Sequence, residues 1–294
     1  MPLTHFSPAT RALIDLALQE DLHAGDVTSD AVFDADAPGR ATFRARHELV
    51  LAGCAVADAV FTAVDPRIEV AWGARDGQLV GAGAVGVAHG PIRSLLRAER
   101  TALNFVRHLS GVATATYAFV RELEGSGTRL LDTRKTTPGF RELEKFAVRM
   151  GGGHNHRFHL GAGAMIKNNH IDAAGSIEAA VKRVRARLPF LSMVEVEVRD
   201  EAEARAAVAA GADALLLDNM DTATMRRLCA ELRGKARLEA SGNITVERLR
   251  ELRDVGLDCI STGWVTHSAP AADLSLTVGG SWQTAPILAT LATP

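Results

Sequence analysis

The stretch MVEVEVRDEAEARAAVAAGADALLLD, residues 193–218, decides the fold of the second half of this 294-residue chain. It contains an apolar strand at Met193–Val198, a helical segment at Glu201–Ala210 and a second apolar strand at Ala214–Asp218. Two short strands joined by a helix predict a right-handed βα unit with parallel strands. The same alternation continues on both sides of this stretch, so we expect a parallel sheet.

Four further apolar strands repeat the βα unit. They are predicted at Arg129–Asp132, Ala164–Lys167, Arg237–Ser241 and Cys259–Thr262. Helices are predicted between the strands at Arg141–Met150, Ser176–Leu188, Thr222–Leu232 and Val246–Val255. No GxGxxG fingerprint follows the first of these strands, so a Rossmann fold lacks its main support. A closed or nearly closed α/β barrel fits the pattern better.

The preceding part of the chain has a different pattern. Between residues 39 and 89, short alternating segments such as ATFRAR and IEVAW flank an Ala- and Val-rich helical stretch, Ala55–Ala63. This predicts an antiparallel sheet with a helix, an α+β unit. Ser94–Leu109 carries the apolar stripe of a further helix, and the pattern changes after Gly111. Ser7 and Pro8 are typical of an N-cap and the first residue of a helix.

The composition excludes several classes of protein. The chain is 47% hydrophobic and 23% charged, with a formal net charge of −2 and one tyrosine, which argues against a nucleic-acid-binding protein. No apolar run approaches the roughly 20 residues that span a bilayer, and the first residues lack the features of a signal peptide. The isolated Cys54, Cys229 and Cys259 fit reduced thiols better than disulfides or a zinc site. We therefore expect a cytoplasmic protein.

Polar residues follow the carboxyl ends of all six predicted strands. They are Asp132-Thr133-Arg134-Lys135, Lys167, Glu197, Asp218, Ser241-Gly242-Asn243 and Thr262-Gly263. In α/β barrels this rim carries the catalytic residues, and the last two loops commonly hold a phosphate. Glycine in such loops lets backbone N–H groups approach a phosphate closely. The pattern predicts an enzyme.

Cations are concentrated between Leu130 and His170. Seven lysines and arginines stand there against three acidic residues, mostly among turn residues, in a chain of net charge −2. Such a cluster predicts a pocket for a small, multiply charged anion. Three of its members, Arg141, Lys145 and Arg149, follow the loop on a helix and are expected to be partly exposed.

Two other interpretations of this region are weaker. His154, His156 and His159 suggest a metal site, but their spacing matches no helical zinc motif and Arg157 lies between them. Lys167 could form a Schiff base, which requires a dry pocket that lowers its pKa. A charged lysine that contacts an anionic ligand is the simpler interpretation.

The alternation VEVEV at residues 194–198 predicts that the side chains of Glu195 and Glu197 point into the barrel. Carboxylates on a buried face need cations or hydrogen-bond donors. An interior ion-pair network suits the deeper Glu195, whereas Glu197, nearer the rim, is the better functional candidate. Glu239 also points inward and is expected to be mainly structural. Asp218-Asn219 could equally be an ordinary helix cap.

Long segments of the chain resemble the quinolinate phosphoribosyltransferase family. They are LALQEDLHAGDVTSD, LLRAERTALNFVRHLSGVAT, LDTRKTTPGFRELEKFAVRMGGGHNHR, MIKNNH, VEVEV, LLLDNM, EASGN and THS. The likeness covers nearly the whole chain. It implies an N-terminal α+β sandwich domain, residues 1–111 with 271–294 returning to it, and an open seven-stranded α/β-barrel domain, residues 112–270. It also implies a homodimer, or a higher oligomer, whose active sites take an arginine from the partner subunit.

The resemblance also implies the role of each site residue. Those that would hold the carboxylates of quinolinate are Arg134, His156, Arg157, Lys167 and, from the partner subunit, Arg100. Those that would surround phosphoribosyl pyrophosphate and its Mg²⁺ are the implied catalytic residues Lys135, Lys167, Glu197 and Asp218. The implied 5′-phosphate site comprises Ser241-Gly242-Asn243 and Thr262-Gly263-Trp264, with His267 nearby. Thr133 is a further implied substrate contact, and the metal is placed only near Glu197 and Asp218.

The implied reaction joins quinolinate to phosphoribosyl pyrophosphate and gives nicotinate mononucleotide, CO₂ and pyrophosphate, a step of de novo NAD biosynthesis. A paralogous enzyme for another acid and a non-catalytic phosphometabolite-binding protein remain as alternatives. The sequence departs from the family pattern in the loop Phe158–Gly163, at His159 and Gly161. Trp264 stands where the family more often has a small residue.

Overall fold

In a computed structural model of the chain, the described residues are 7–279. They form two compact units. Within the described range, the first unit comprises residues 7–116, 137–152 and 269–279, and the second comprises residues 117–136 and 153–268. No helix in this part of the chain is long and apolar enough to cross a membrane.

The secondary structure follows the expected change of pattern along the chain. The helices are α1 (Pro8–Leu22), α2 (Val27–Val32), α3 (Cys54–Val64), α4 (Ile92–Glu122), α5 (Arg141–Met150), α6 (Asn168–Ala174), α7 (Ile177–Arg185), α8 (Glu201–Ala209), α9 (Thr222–Leu232), α10 (Val246–Leu252) and α11 (Trp264–His267). The strands are β1 (Pro38–Ala45), β2 (Leu49–Val50), β3 (Glu69–Trp72), β4 (Leu79–Val80), β5 (Gly83–Pro91), β6 (Arg129–Leu131), β7 (Ala164–Ile166), β8 (Val194–Val198), β9 (Ala214–Asp218), β10 (Arg237–Ser241), β11 (Cys259–Ser261) and β12 (Leu274–Val278). A short 3₁₀ helix spans Leu160–Ala162.

The first unit is built on an antiparallel sheet, which confirms the predicted α+β unit. Its strand order is β12-β1-β5-β3, and β2 pairs separately with β4. Side chains of β1 alternate between buried and more exposed, so one face of the sheet covers the core. There Phe43 meets Phe61 edge to face at 6.0 Å and Trp72 at 4.7 Å. The late strand β12 pairs with β1 and so returns the chain to this unit.

Helix α4 is longer than the apolar stripe at Ser94–Leu109 predicted. It runs through Gly111 to Glu122, so Gly111 does not end it. A side chain at Gly111 would place its Cβ 2.1 Å from the carbonyl oxygen of Pro270. The glycine is therefore explained by the close approach of the returning chain and not by a turn.

Helix α5 buries two charged side chains in the first unit. Glu144 and Lys145 are both 0% exposed, so the expectation of partial exposure is wrong for Lys145. Glu144 accepts hydrogen bonds from the backbone N–H of Thr137 at 3.0 Å and bonds to Nε2 of His108 at 2.8 Å. The buried carboxylate thus ties helix α4 to the Thr-Thr-Pro-Gly turn that precedes α5.

The second unit contains the predicted parallel sheet. All six predicted strands are present, in the order β6-β11-β10-β9-β8-β7, with ends that agree to within one residue. Beyond β6, a single parallel bridge joins Leu131 to His154. The central strands β9 and β10 carry fully buried leucine and alanine side chains, as expected for a sheet covered on both faces. Helix α6, which the sequence pattern did not predict, begins directly after Lys167.

Candidate active site

One cavity of about 340 Å³ lies at the carboxyl ends of the strands of the second unit. Nine of the expected site residues line it: Thr133, Arg134, Lys135, His156, Arg157, Lys167, Glu197, Asp218 and Ser241. The rest of the lining is Met165, Leu216, Glu239 and Ser261. A cavity of this size with converging polar groups suits a small-molecule ligand.

The parallel register explains why these residues meet. Ser241 of β10 is level with Asp218 of β9, and Glu197 of β8 is level with Leu216 of β9. Because all strands run in the same direction, their carboxyl ends form one rim. Residues that are more than 40 positions apart in the sequence are therefore brought to one surface.

Two guanidinium groups form the cationic side of the cavity. Arg157 donates from Nη1 to the carbonyl oxygen of Gly163 at 2.8 Å. Burial, and then the charge of Arg134, lower the pKa of Arg157 below its usual range. The Nε of Arg134 is buried and has no hydrogen-bond partner among the described residues. Two crowded cations with a free donor provide a site for an anion that carries more than one carboxylate.

Lys167 and Glu197 face each other across the cavity. Nζ of Lys167 lies 3.5 Å from Oε2 of Glu197, and the side chain of Lys167 is 52% exposed. Oε1 of Glu197 accepts a hydrogen bond from the side-chain amide of Asn168 at 3.1 Å. An exposed, ion-paired lysine lacks the dry surroundings that a Schiff-base lysine requires, so the geometry favours a charged ligand contact.

The interior network expected around Glu195 is present below the rim. Nε2 of His156 lies 3.1 Å from Oε2 of Glu195 and 3.7 Å from Oε2 of Glu239. Both glutamates are buried, with exposed fractions of 8% and 5%. Among the described residues, this is the group whose histidine and carboxylate atoms lie close enough together to hold a metal ion. It does not include His154 or His159.

Asp132 anchors the segment that carries His156 and Arg157. Its side chain is 0% exposed, and its Oδ1 accepts a hydrogen bond from the backbone N–H of His156 at 2.8 Å. Oδ2 accepts from the side-chain amide of Asn155 at 2.6 Å. Sequence reasoning placed Asp132 at the rim but missed this function. The only sequence feature that pointed to this function is the position of Asp132 between a predicted strand and the pair Arg134-Lys135.

The first glycine loop interlocks with the turn after β9. Gly242 has φ +99°, and a Cβ there would lie 2.2 Å from Oδ1 of Asn219. Asn219 and Asn243 also have positive φ, 51° and 47°, and Nδ2 of Asn243 donates to Oδ1 of Asn219 at 3.3 Å. The backbone conformation of this loop therefore depends on a residue without a side chain at position 242.

We expect Gly242→Ala to weaken the binding of a phosphorylated substrate. The clash must displace the loop, and overpacking of this kind costs about 1–3 kcal/mol, or a rise in KM of roughly 5- to 150-fold. Gly234→Ala is the matched control, because Gly234 has φ +78° and no atom within 4 Å of the added Cβ. Steady-state kinetics should show a raised KM for the phosphorylated substrate in Gly242→Ala alone. Equal KM values in the two variants would contradict this role of the loop.

The second glycine loop lies against Lys135. A Cβ at Gly263 would be 3.0 Å from Cδ of Lys135 and 3.0 Å from Cδ2 of His267. Oγ1 of Thr266 donates to the carbonyl oxygen of Lys135 at 2.8 Å. The loop therefore touches a residue of the cavity lining, although none of its own residues lines the cavity.

The unusual Trp264 has a packing role. Its ring stacks on Phe119, with the centroids 5.3 Å apart and the planes 10° apart. Its backbone N–H donates to Oγ1 of Thr262 at 3.1 Å. The ring thus packs on Phe119 within the second unit, while the residue stays 40% exposed.

Arg100 lies in the first unit. It lines a separate cavity of about 390 Å³, together with Glu20, Asn104, Phe105 and His108. The structure thus assigns it to a different surface of the chain from the nine residues above.

A parallel α/β sheet with arginines, lysines, carboxylates and glycine loops at its carboxyl edge defines an α/β enzyme for anionic, phosphorylated ligands. The model of the quinolinate phosphoribosyl transferase N-terminal domain matches residues 26–110, and that of the C-terminal domain matches residues 112–277. The chain belongs to the quinolinate phosphoribosyltransferase family.

Individual relatives agree over almost the whole length of the chain. It is 40% identical, over 91% of its length and 93% of the relative, to a probable nicotinate-nucleotide pyrophosphorylase (carboxylating) of Bacillus subtilis (strain 168). The crystal structure of NadC from Streptococcus pyogenes superimposes with a TM-score of 0.90 and 40% identity, over 93% of this chain and 98% of that one. The nicotinate-nucleotide pyrophosphorylase of Francisella tularensis gives a TM-score of 0.88 and 38% identity, over 95% and 99%.

Proposed function

We propose that this protein transfers the phosphoribosyl group of phosphoribosyl pyrophosphate to quinolinate and forms nicotinate mononucleotide, CO₂ and pyrophosphate, a step of NAD biosynthesis. The observation that carries the proposal is one cavity in which the paired cations Arg134 and Arg157 lie with the carboxylates of Glu197 and Asp218. The cations match a dicarboxylate, and the carboxylates match a ribose centre that becomes positively charged. Membership of the family supports the same reaction.

The dicarboxylate end of the site consists of Arg134, His156, Arg157 and Lys167. A planar guanidinium binds a carboxylate through two parallel hydrogen bonds, which fixes orientation as well as charge. Arg134 has a buried donor free for such a bond. This end holds the pyridine ring so that its nitrogen faces the ribose.

The phosphoribosyl end uses the strand-end residues. Lys135 and Lys167 counter the charge of the pyrophosphate, and Glu197 and Asp218 stabilise the oxocarbenium-like ribose as its bond to pyrophosphate breaks. The 5′-phosphate is bound by the backbone of two loops, with the side chain of Thr133 as a further contact. These loops are Ser241-Gly242-Asn243 and Thr262-Gly263-Trp264, with His267 beside the second.

Mg²⁺ fits the donors on the carboxylate side. Glu197 and Asp218 stand at the ends of neighbouring strands and offer hard oxygen ligands. Mg²⁺ in proteins is typically bound by one or two carboxylates together with substrate phosphates and water. When bound, the ion neutralises charge on the pyrophosphate leaving group. The side chains themselves position the ribose between them.

We also propose a homodimer with shared active sites, in which Arg100 of the partner subunit completes the dicarboxylate end. Arg100 lines a cavity of the first unit that contains no catalytic candidate of the second unit. The arginine is therefore available to a second copy of the chain.

Mixed dimers test this arrangement directly. Arg100→Ala and Lys135→Ala should each be nearly inactive alone, whereas dissociation and reassembly of an equal mixture should restore roughly a quarter of wild-type activity. Half of the dimers would be mixed, and one of their two sites would be intact. A mixture of Arg134→Ala with Lys135→Ala is the control, because each mixed dimer then has a damaged barrel in both sites. Equal activity of the two mixtures would rule out sharing.

Three finer features belong to the same proposal. The α/β barrel is open and seven-stranded, with the bridge from Leu131 to His154 as its seventh position. The domains are residues 1–111, joined by 271–294, and residues 112–270; residues 280–294 lie outside the described part of the chain. The protein is cytoplasmic, in agreement with its free thiols at Cys54, Cys229 and Cys259.

The reaction itself is tested with purified protein, quinolinate, phosphoribosyl pyrophosphate and Mg²⁺. We expect nicotinate mononucleotide, CO₂ and pyrophosphate in equal amounts. Turnover of nicotinate but not of quinolinate would instead indicate a paralogous enzyme. Tight binding of both substrates without reaction, unchanged by Glu197→Ala and Asp218→Ala, would indicate a non-catalytic binding protein.

A further inference from the structure

Glu239 lies between two cavities of the second unit. One is the active-site cavity, and the other, of about 450 Å³, is lined by residues from the amino-terminal ends of the strands, including Ala164, Ala214 and Arg237. Glu239, His156 and Arg157 line both cavities. The side chain of Glu239 therefore borders both the active-site cavity and the second cavity.

The polar and titratable groups around Glu239 come from two strands and one loop. Strand β8 contributes Glu195, strand β11 contributes Ser261 and the thiol of Cys259, and the loop after α5 contributes His156 and the guanidinium of Arg157. Burial, and then the charge of Glu195, raise the pKa of Glu239 to about 7. A carboxyl group in such surroundings keeps its proton up to neutral pH.

The hydrogen bonds of His156 distinguish the two glutamates. Nδ1 of His156 accepts from the backbone N–H of Arg157 at 2.7 Å, which places the ring proton on Nε2. This proton faces Glu195 at 3.1 Å, so Glu195 is the acceptor carboxylate. Oε1 of Glu239 is buried and has no hydrogen-bond partner among the described residues. Glu239 also forms side-chain hydrogen bonds with Glu195 and Ser261, which leaves Oε1 as its oxygen without a partner among the described residues.

This inference rests on the proposed function, which requires a proton donor beside the pyridine ring of the bound substrate. After the ring nitrogen has bonded to the ribose, the bond between the ring carbon and the 2-carboxylate breaks. CO₂ leaves, and the electron pair stays on the ring carbon beside the positively charged nitrogen. That carbon must then take up one proton. Arginine, whose pKa lies far above neutral pH, is a poor donor for it.

We propose that Glu239 is the catalytic acid that protonates this ring carbon. The O–H bond of its carboxyl group breaks as the C–H bond forms, and Glu239 is left as a carboxylate. Water in the second cavity returns the proton before the next turnover. Glu195 and His156 are positioning residues that hold the carboxyl group of Glu239 in place.

Glu239→Gln tests the proposal, because the amide keeps the shape of the side chain but removes the acid. In a single turnover with quinolinate and phosphoribosyl pyrophosphate, we expect release of pyrophosphate at a near wild-type rate. Formation of nicotinate mononucleotide should fall by about 100-fold or more, and quinolinate mononucleotide should accumulate, because a ring carbanion that is not protonated recombines with CO₂. Glu247→Gln on the exposed face of α10 is the matched control and should behave like the wild type.

The pH profile separates an acid from a structural group. In the wild type, kcat should fall on the alkaline side as Glu239 loses its proton; this limb should be absent in Glu239→Gln and retained, at a lower rate, in Glu239→Asp. Equal profiles for the Gln and Asp variants, an unchanged rate of product formation, or a parallel loss of pyrophosphate release would each reject the proposal. Absence of both products from the wild type would instead reject the proposed function.

Discussion

Replacing Arg134 by alanine is expected to lower kcat/KM for quinolinate by roughly 30- to 3,000-fold. Removing one partner of a buried, hydrogen-bonded charge pair costs about 2–5 kcal/mol, and each 1.4 kcal/mol is a factor of ten. Arg134 has a buried Nε without a hydrogen-bond partner among the described residues, so this donor is available to the ligand. The loss should appear mainly with quinolinate, and the KM for phosphoribosyl pyrophosphate should change little.

Two variants define the origin of this loss. Arg134→Lys keeps the charge but not the planar fork, so its kcat/KM should lie between those of the wild type and Arg134→Ala. Arg129→Ala removes an exposed arginine from the amino-terminal end of β6, the strand that precedes Arg134, and should leave the kinetics unchanged. A larger effect on the KM for phosphoribosyl pyrophosphate than on that for quinolinate would place Arg134 at the wrong end of the site.

Replacing Asp132 by alanine should lower the free energy of unfolding by about 3–5 kcal/mol. The carboxylate is fully buried and accepts from the backbone of His156 and the side chain of Asn155. A hydrogen bond to a charged group contributes about 1.5–3 kcal/mol, and both donors would be left unsatisfied. Activity should fall as well, because the anchored segment carries His156 and Arg157.

Denaturant unfolding of Asp132→Ala, Asp132→Asn and Asp258→Ala measures this contribution. Asn is nearly isosteric and retains one acceptor oxygen, so it should lose less stability than alanine. Asp258 is exposed, and its Oδ2 accepts from the backbone N–H of Leu238 at 2.8 Å, so its removal should cost only about 1 kcal/mol. If Asp132→Ala were no less stable than Asp258→Ala, the segment after Gly153 would be held by other contacts.

The rim of the barrel could be predicted from the sequence because it depends on local periodicity. Alternation of apolar strands and helices predicts a parallel sheet, and a parallel sheet brings its strand ends together whatever loops join them. Lys167, Glu197, Asp218 and Ser241 were identified in this way, and all four line the cavity. Their roles toward each substrate came from the resemblance and remain predictions.

Other features depend on contacts between distant segments and could not be predicted. Helix α4 continues through Gly111 because the chain near Pro270 passes against it. Lys145 is buried although the spacing of charges in α5 is typical of an exposed face. In each case the deciding partner lies elsewhere in the chain, and local pattern contains no information about it.

The sequence by itself thus determined the class of fold, the six parallel strands of the second unit, and the meeting of Lys167, Glu197, Asp218 and Ser241 at their carboxyl ends. Only the tertiary structure decided which partners the buried charged side chains below that rim have. It shows that Asp132 accepts a hydrogen bond from the backbone of His156. It also shows that Glu239 lines two cavities and that its Oε1 has no hydrogen-bond partner among the described residues. The physical reason is that strand period is a local property, whereas the burial and hydrogen-bond partners of a charged group depend on every segment that packs around it.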